Sequence, residues 1–285
     1  MDKTSLGDRM KLYEGKEAFR MFMPLLPIVA RLDGRSFSTY TKRFDRPFDA
    51  RMTSTMQATT KKLIEHTGAD IGYTQSDEIT LVFMNDSNKS QPFFNGKIQK
   101  MVSILASACT IYFNDYAGSF MPGAHAGKFP MFDCRVYQTP TLMEAYNALI
   151  WRQQDAKRNS IQSLARTRFS HIQCHGEDQA KLLEMLSEKG VDWHTYPSKF
   201  KYGTFFGKKR VVKGYSKDEL ERLPLKHEAR SDPDFKVERS VVGQLDLPYM
   251  SNIVNKVEVF RHGHTPFTLD RSVPEGTETG LLNDK

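Results

Sequence analysis

The sequence predicts an α+β fold of βαββαβ order, the ferredoxin-like arrangement, with appended helices and a basic hairpin. Three observations predict it. An apolar strand-like run, Leu26-Pro27-Ile28-Val29-Ala30-Arg31-Leu32, ends in Asp33-Gly34-Arg35-Ser36-Phe37. A tight Gln75-Ser76-Asp77-Glu78 turn lies between two further strand-like runs, Ile71–Thr74 and Ile79–Met84. Helical periodicity occupies the stretches before and after that hairpin.

The elements follow in order. Residues 6–17 read as a charged helical arm, and Pro24 and Pro27 block helix before the first strand. From Asp49 to His66, Met52, Met56, Leu63 and Ile64 share one helical face, and Gly68 stands where a helix ends. The hairpin comes next. A second helix spans about 97–116 with Ile98, Met101, Val102, Leu105, Cys109 and Tyr112 as its buried stripe. A Gly- and Pro-rich loop at 118–130 leads into a fourth strand, Met131–Gln138. These define a catalytic domain over 1–140. Residues 141–243 read as a second part of the same unit: a long basic helix from Leu142 to about Arg168, a shorter one near 177–189, and a basic aromatic hairpin over Lys199–Arg210 turning at Gly207-Lys208. The 244–285 stretch reads as an irregular C-terminal extension.

In this topology the third strand lies antiparallel beside the first, so Asp33 and the Asp77-Glu78 turn are expected at one sheet edge. Like charges crowded there repel unless a divalent cation neutralises them. Hard oxygen ligands suit Mg²⁺, and a metal pair suits nucleotidyl transfer. The pattern is that of a polymerase palm. The run after Asp33 offers backbone N–H groups for a triphosphate, with Lys97, Lys100 and Arg135 as further cations.

Composition narrows the class. The 285 residues are 39% hydrophobic, and 41 basic against 34 acidic residues give a net charge of +7, which favours an anionic partner. The three Cys, at 109, 134 and 174, lack paired or zinc-ligand spacing, and the reading is a cytoplasmic protein with reduced thiols. No apolar run approaches the roughly 20 residues that cross a bilayer, and the N-terminus shows no signal-peptide pattern.

On these residues the chain resembles the tRNA-His guanylyltransferase family, especially its guanylyltransferase-like branch of 3′–5′ RNA polymerases. The matching stretches are Arg31-Leu32-Asp33-Gly34-Arg35-Ser36-Phe37, Gln75-Ser76-Asp77-Glu78, Phe132-Asp133-Cys134-Arg135-Val136, Trp151-Arg152-Gln153-Gln154-Asp155 and Lys201-Tyr202-Gly203-Thr204. The resemblance implies a homotetramer that uses ATP, GTP or other nucleoside triphosphates and two Mg²⁺ ions to add nucleotides to tRNA 5′ ends. It implies Asp33, Asp77 and Glu78 as catalytic acids, with Asp33, Gly34 and Asp77 on the metals. Gly34, Arg35, Ser36, Phe37, Ser38, Asp49 and Ser76 would line the activating nucleotide, while Lys97, Lys100 and Arg135 would bind triphosphate. Charge density suggests RNA contacts at Arg152, Lys157, Arg158, Asn159, Lys199, Lys201, Lys208, Lys209 and Arg210. One departure bears on substrate: members that add G to tRNA-His carry His-Ile-Asn-Asn where this chain has Lys157-Arg158-Asn159-Ser160. That favours templated repair of truncated tRNA. G addition to tRNA-His, a nucleotidyl-cyclase-like palm and a non-catalytic RNA-binding module stand as alternatives.

Overall fold

The structure, a computed structural model, describes residues 5–87, 90–232 and 234–268. Helices α1 (Ser5–Ala18), α2 (Phe37–Tyr40), α3 (Ala50–Thr67), α4 (Ile98–Phe120), α5 (Pro122–His125) and α6 (Leu142–Ala165) are followed by α7 (His171–Cys174), α8 (Gln179–Glu188), α9 (Ser198–Lys201), α10 (Lys217–Arg222) and α11 (Lys256–His262). Strands β1 (Ile28–Gly34), β2 (Ile71–Gln75), β3 (Glu78–Phe83), β4 (Phe132–Gln138), β5 (Thr204–Lys213) and β6 (Val237–Leu245) form one sheet in the order β4-β1-β3-β2-β5-β6. All neighbouring pairs are antiparallel. The β1-α3-β2-β3-α4-β4 segment is the expected palm-like βαββαβ unit.

Local signals explain the sharpest boundaries. The Asp49 carboxylate caps α3 by accepting from the N–H groups of Arg51 and Met52, and Gly68 ends it at φ 73°, donating to Ile64 O. Strand alternation then divides the sheet into two cores. Ile28, Ala30, Leu32, Ile79 and Leu81 face α3 and α4, where Met56, Leu63, Leu105 and Phe113 complete the first core. Val29, Ile71, Tyr73 and Val82 face the other way, under Tyr146 and Leu149 of α6. Each fully buried Leu, Ile, Val, Phe or Met among them contributes roughly 1.5–3 kcal/mol. A third cluster, with Leu164, Leu182, Leu186 and Trp193, ties the far half of α6 to α8.

Two expectations about the C-terminal half are corrected. The chain does not turn at Gly207-Lys208. β5 runs straight through it, pairing Gly207 with Ile71 on one side and Gly243 on the other. At Gly207 a Cβ would sit 2.9 Å from Leu245 Cδ1, so the glycine lets that side chain pack closely within the strand. The return strand is β6, reached only after residues 214–236. Residues from 244 on are also no separate appendage as far as they are described, because Met250, Ile253 and Val259 are buried in the second core. One sheet thus joins 1–140 to 141–243, and the second core extends past 243. No helix among the described residues is long and apolar enough to cross a membrane.

Candidate active site

β1 carries Asp33 to the sheet edge, where it pairs with Glu78 of β3 on one side and Asp133 of β4 on the other. The Gly34 N–H donates to Asp77 O at 3.1 Å, joining the strand end to the hairpin turn. Ser76 takes a left-handed conformation in that turn, φ 50°, and its hydroxyl donates to Asp77 Oδ1 at 3.0 Å. Burial lifts the Asp77 carboxyl above the ordinary carboxylate range; the Ser76 hydrogen bond opposes this and the Asp33 charge reinforces it. The expected meeting of Asp33 and Asp77 is therefore present, with its electrostatic cost. Arg135 offsets part of that cost, 4.0 Å from Asp33 Oδ2 and 3.8 Å from Asp133 Oδ1. Asp133 was missed as a candidate, although its motif was noted, because only the β1–β4 register sets it opposite Asp33.

Glu78 departs from its expected role. Its carboxylate is 7% exposed, and both oxygens accept from Arg152, Nε to Oε1 at 2.6 Å and Nη2 to Oε2 at 2.7 Å. Burial raises its pKa even against that partner. A carboxylate so engaged, expected as a catalytic acid, instead pins the hairpin to α6. Arg152 in turn donates to Asp155 Oδ2 at 2.9 Å, and Asp155 also accepts from Arg158 and Asn159. Arg152 is thus an internal strut rather than an RNA contact.

The turn after Asp33 is more structural than its sequence suggests. The Phe37 ring is buried in the first core against Phe113 and Phe132. Gly34 is required because a Cβ would lie 2.3 Å from that ring. The Arg35 N–H is spent on Met131 O at 2.9 Å. Arg35, Ser36 and Ser38 remain exposed beside Asp33.

Beyond the hairpin, between the start of α3 and the far half of α6, opens a cavity of about 770 Å³. Ser76, Gln75, Asn159, Arg46, Arg166 and Lys199 supply polar lining, and the stacked rings of Phe48 and Phe200, centroids 5.0 Å apart, supply an aromatic wall. Asp49 borders this cavity, but its oxygens are saturated by Arg51, the Met52 N–H and the Asp45 N–H. Burial acts to raise its pKa, yet those hydrogen bonds outweigh it and hold the carboxyl at about 2. Asp49 builds the cavity wall rather than reading a ligand. Arg46, Arg166 and the phenylalanine pair were overlooked because nothing local brings them together.

Other candidates lie apart. Lys97 and Lys100 occupy the opposite end of the sheet: Lys97 bridges to Met21, and the neighbouring Phe93 stacks on Phe83, which pairs with Ile28 at the start of β1. Phe113 of α4, beside Phe37, lies fifteen residues beyond Ile98, about 22 Å further along the helix. The reason is topological. β3 leaves the site, so the helix that follows it must begin at the far end and run back. Lys201 is buried, its Nζ donating to His194 O at 2.6 Å beside the Trp193 ring, and offers no charge to RNA. Lys208 is held by Gly68 O and Asp70. Lys209 and Arg210 are exposed on β5, and Lys157 lies 5.9 Å over the Tyr249 ring. Among the described residues, no group of three or more His, Cys, Asp and Glu side chains is placed to hold a metal ion, which leaves Asp33 and Asp77 as a two-carboxylate set.

A family model described as tRNAHis guanylyltransferase matches residues 7–140. An uncharacterized protein of Acanthamoeba polyphaga mimivirus is 32% identical over 230 residues, 73% of this chain and 78% of that protein. A probable tRNA(His) guanylyltransferase of Drosophila melanogaster is 25% identical, covering 81% of this chain and 85% of that one. Among solved structures, a bacterial tRNA(His) guanylyltransferase-like protein in complex with ATP superposes with a TM-score of 0.73 at 29% identity, over 90% of this chain and 98% of that one. The same kind of protein in complex with GTP gives 0.69 at 28% identity, over 90% and 99%.

Proposed function

The chain belongs to the tRNAHis guanylyltransferase family and is a nucleotidyltransferase, and from that premise we propose that it rebuilds truncated tRNA 5′ ends in the 3′–5′ direction, copying the opposite strand. The observation that carries this reading is the carboxylate pair at a sheet edge beside a nucleotide-sized cavity.

In this reading ATP occupies the cavity, its base against the Phe48–Phe200 wall and its phosphates toward Arg46, Arg166 and Lys199. The RNA 5′-monophosphate displaces pyrophosphate from ATP and becomes adenylylated. The 3′-hydroxyl of an incoming nucleoside triphosphate, GTP among them, then attacks the phosphorus of the RNA 5′-phosphate, breaking its anhydride bond and releasing AMP. The site fits Mg²⁺: burial and, to a lesser extent, the Asp33 charge raise the Asp77 pKa, and a divalent cation between these hard oxygen donors would relieve both. Asp33 and Asp77 would hold two such ions with help from the Gly34 carbonyl. Bound there, Mg²⁺ supplies charge neutralisation at the phosphoryl oxygens and a more acidic attacking hydroxyl. Arg135, more than half exposed, supplies a positive charge beside Asp33 that can turn to the incoming triphosphate. Glu78 and Arg152 keep the hairpin in place. A homotetramer accompanies this reading, supported by exposed Leu6, Met10 and Tyr13 on α1.

Template reading follows from what the helix lacks. Lys157 lies over Tyr249, and Arg158 is tied to Asp155, where G-adding members carry His and Ile. Sequence information then comes from base pairing with the opposite strand. The protein, incubated with ATP, Mg²⁺ and a tRNA lacking its first 5′ nucleotide, adds the complement of the unpaired partner and stops when the stem is full. Exchanging the partner base exchanges the nucleotide added. Preference for G whatever the opposing base would instead show guanylyltransferase specificity, and cyclic products without RNA would show a cyclase.

A further inference from the structure

The β1–β4 register places Asp33 opposite Asp133, Arg31 opposite Arg135, and Val29 opposite Tyr137, so these side chains stand on one face of the sheet. α6 covers that face over the central strands, while β4 is the edge strand, and its Asp133, Arg135 and Tyr137 are exposed. At the border stands Trp151 of α6, 51% exposed, with the Arg31 guanidinium 5.5 Å from its ring centroid and that of Arg152 at 4.6 Å. Tyr137 stands on the same face two positions along β4 from Arg135, diagonally across from Arg31. The result is a half-open aromatic surface flanked by cations, reached from Asp33 by two residues of strand, about 7 Å. A Trp left half exposed beside two guanidinium groups is unexplained by either core. The cavity lies on the other side of the hairpin, beyond Ser76 and Asn159.

We propose that Trp151 and Tyr137, with Arg31 and Arg135, form a stacking platform for the 5′-terminal base pair of an RNA helix, presenting its end to Asp33. The proposal rests on the reading of the carboxylate pair as the place where the RNA 5′ phosphate reacts. Three features choose this occupant. The surface is an open sheet face, suited to the flat end of a stacked helix, whereas a free nucleotide needs concave enclosure. Aromatic faces take any base, which a template-reading enzyme requires. Arg31 and Arg135 place positive charge where a terminal nucleotide carries its phosphate. Of the acids on this face, Glu78 is paired with Arg152, while Asp33 and Asp133 stand 4.0 and 3.8 Å from Arg135.

The test uses intrinsic fluorescence, because the chain has two Trp and the other, Trp193, is 1% exposed and hydrogen-bonded to Ser160. A 5′-truncated tRNA added without ATP quenches wild-type emission, and Trp151→Phe abolishes the quench while keeping most of the affinity. Trp151→Ala raises KM for the truncated tRNA about five- to 150-fold, the span expected for one lost stacked base, while KM for GTP stays within twofold. The proposal is overturned if tRNA leaves wild-type emission unquenched, if GTP alone quenches it and Trp151→Ala raises KM for GTP instead, or if Trp151→Ala leaves KM for tRNA unchanged. Binding is measured without turnover, which separates the two readings. Intact 5′ extension with an unquenched Trp151 sinks the platform alone, and intact quenching without extension sinks the repair activity alone.

Discussion

Replacing Arg152 with Met removes both guanidinium hydrogen bonds from a Glu78 carboxylate that is 7% exposed, leaving it the Thr80 hydroxyl at 3.5 Å. Breaking a buried pair from one side costs about 3–5 kcal/mol, because the remaining charge is left uncompensated. At 2–4 °C per kcal/mol for a chain of this size, Arg152→Met lowers Tm by roughly 6–20 °C. The pH dependence carries the sharper signature. Burial already holds the Glu78 pKa above its ordinary 4.5, against the opposing influence of Arg152, and removing Arg152 lifts it further. A carboxyl whose folded pKa is raised stabilises the fold most below its unfolded value and loses that contribution as pH rises through the folded one. The Arg152→Met deficit is therefore largest near pH 8 and shrinks toward pH 5. The double variant Glu78→Leu/Arg152→Met, which leaves no orphan charge on Glu78, is more stable than Arg152→Met alone at pH 8. Urea unfolding of the three proteins at both pH values measures these differences. A deficit below about 1 kcal/mol, a deficit independent of pH, or a double variant no more stable than the single one would refute the strut assignment.

Three further outcomes follow from the site. Asp77→Ala abolishes nucleotide addition, to below about a hundredth of the wild-type rate, since a lost metal ligand costs several kcal/mol of transition-state stabilisation. Tm does not fall, because the change relieves repulsion with Asp33; a variant that unfolds earlier contradicts this. Asp49→Ala costs about 1–2 kcal/mol at pH 7 through loss of the α3 cap. The folded pKa of about 2 lies below the ordinary 3.8, so this gap persists above pH 3.8 and closes as pH falls toward 2, as acid titration by circular dichroism will show. Lys209→Ala and Arg210→Ala each lower the log–log salt slope of tRNA affinity by roughly 0.7–0.9, whereas Lys201→Ala, at a buried lysine, leaves the slope unchanged and lowers stability.

Sequence alone determined the βαββαβ unit and the meeting of Asp33 with Asp77. Both rest on local signals: strand alternation, the α3 helical face between Asp49 and Gly68, and a tight hairpin whose topology forces its turn to the end of β1. Tertiary structure decided what each charge does. Glu78 and Arg152 stand 74 residues apart, and neither shows in sequence that the other will bury and neutralise it. Lys201 reads as one of a run of surface lysines until Trp193 and His194 enclose it. Lys97 and Lys100 read as phosphate ligands until α4 carries them to the far end of the sheet. β6 escaped notice because its partner strand supplies its pairing across the whole 214–236 connection, and the segment carrying Met250 and Val259 because it is ordered by a core formed elsewhere. Residue type fixes charge and backbone preference along a few positions of chain. Burial, counter-charge and strand partner are properties of contacts made over long separations, and those exist only once the sheet has assembled.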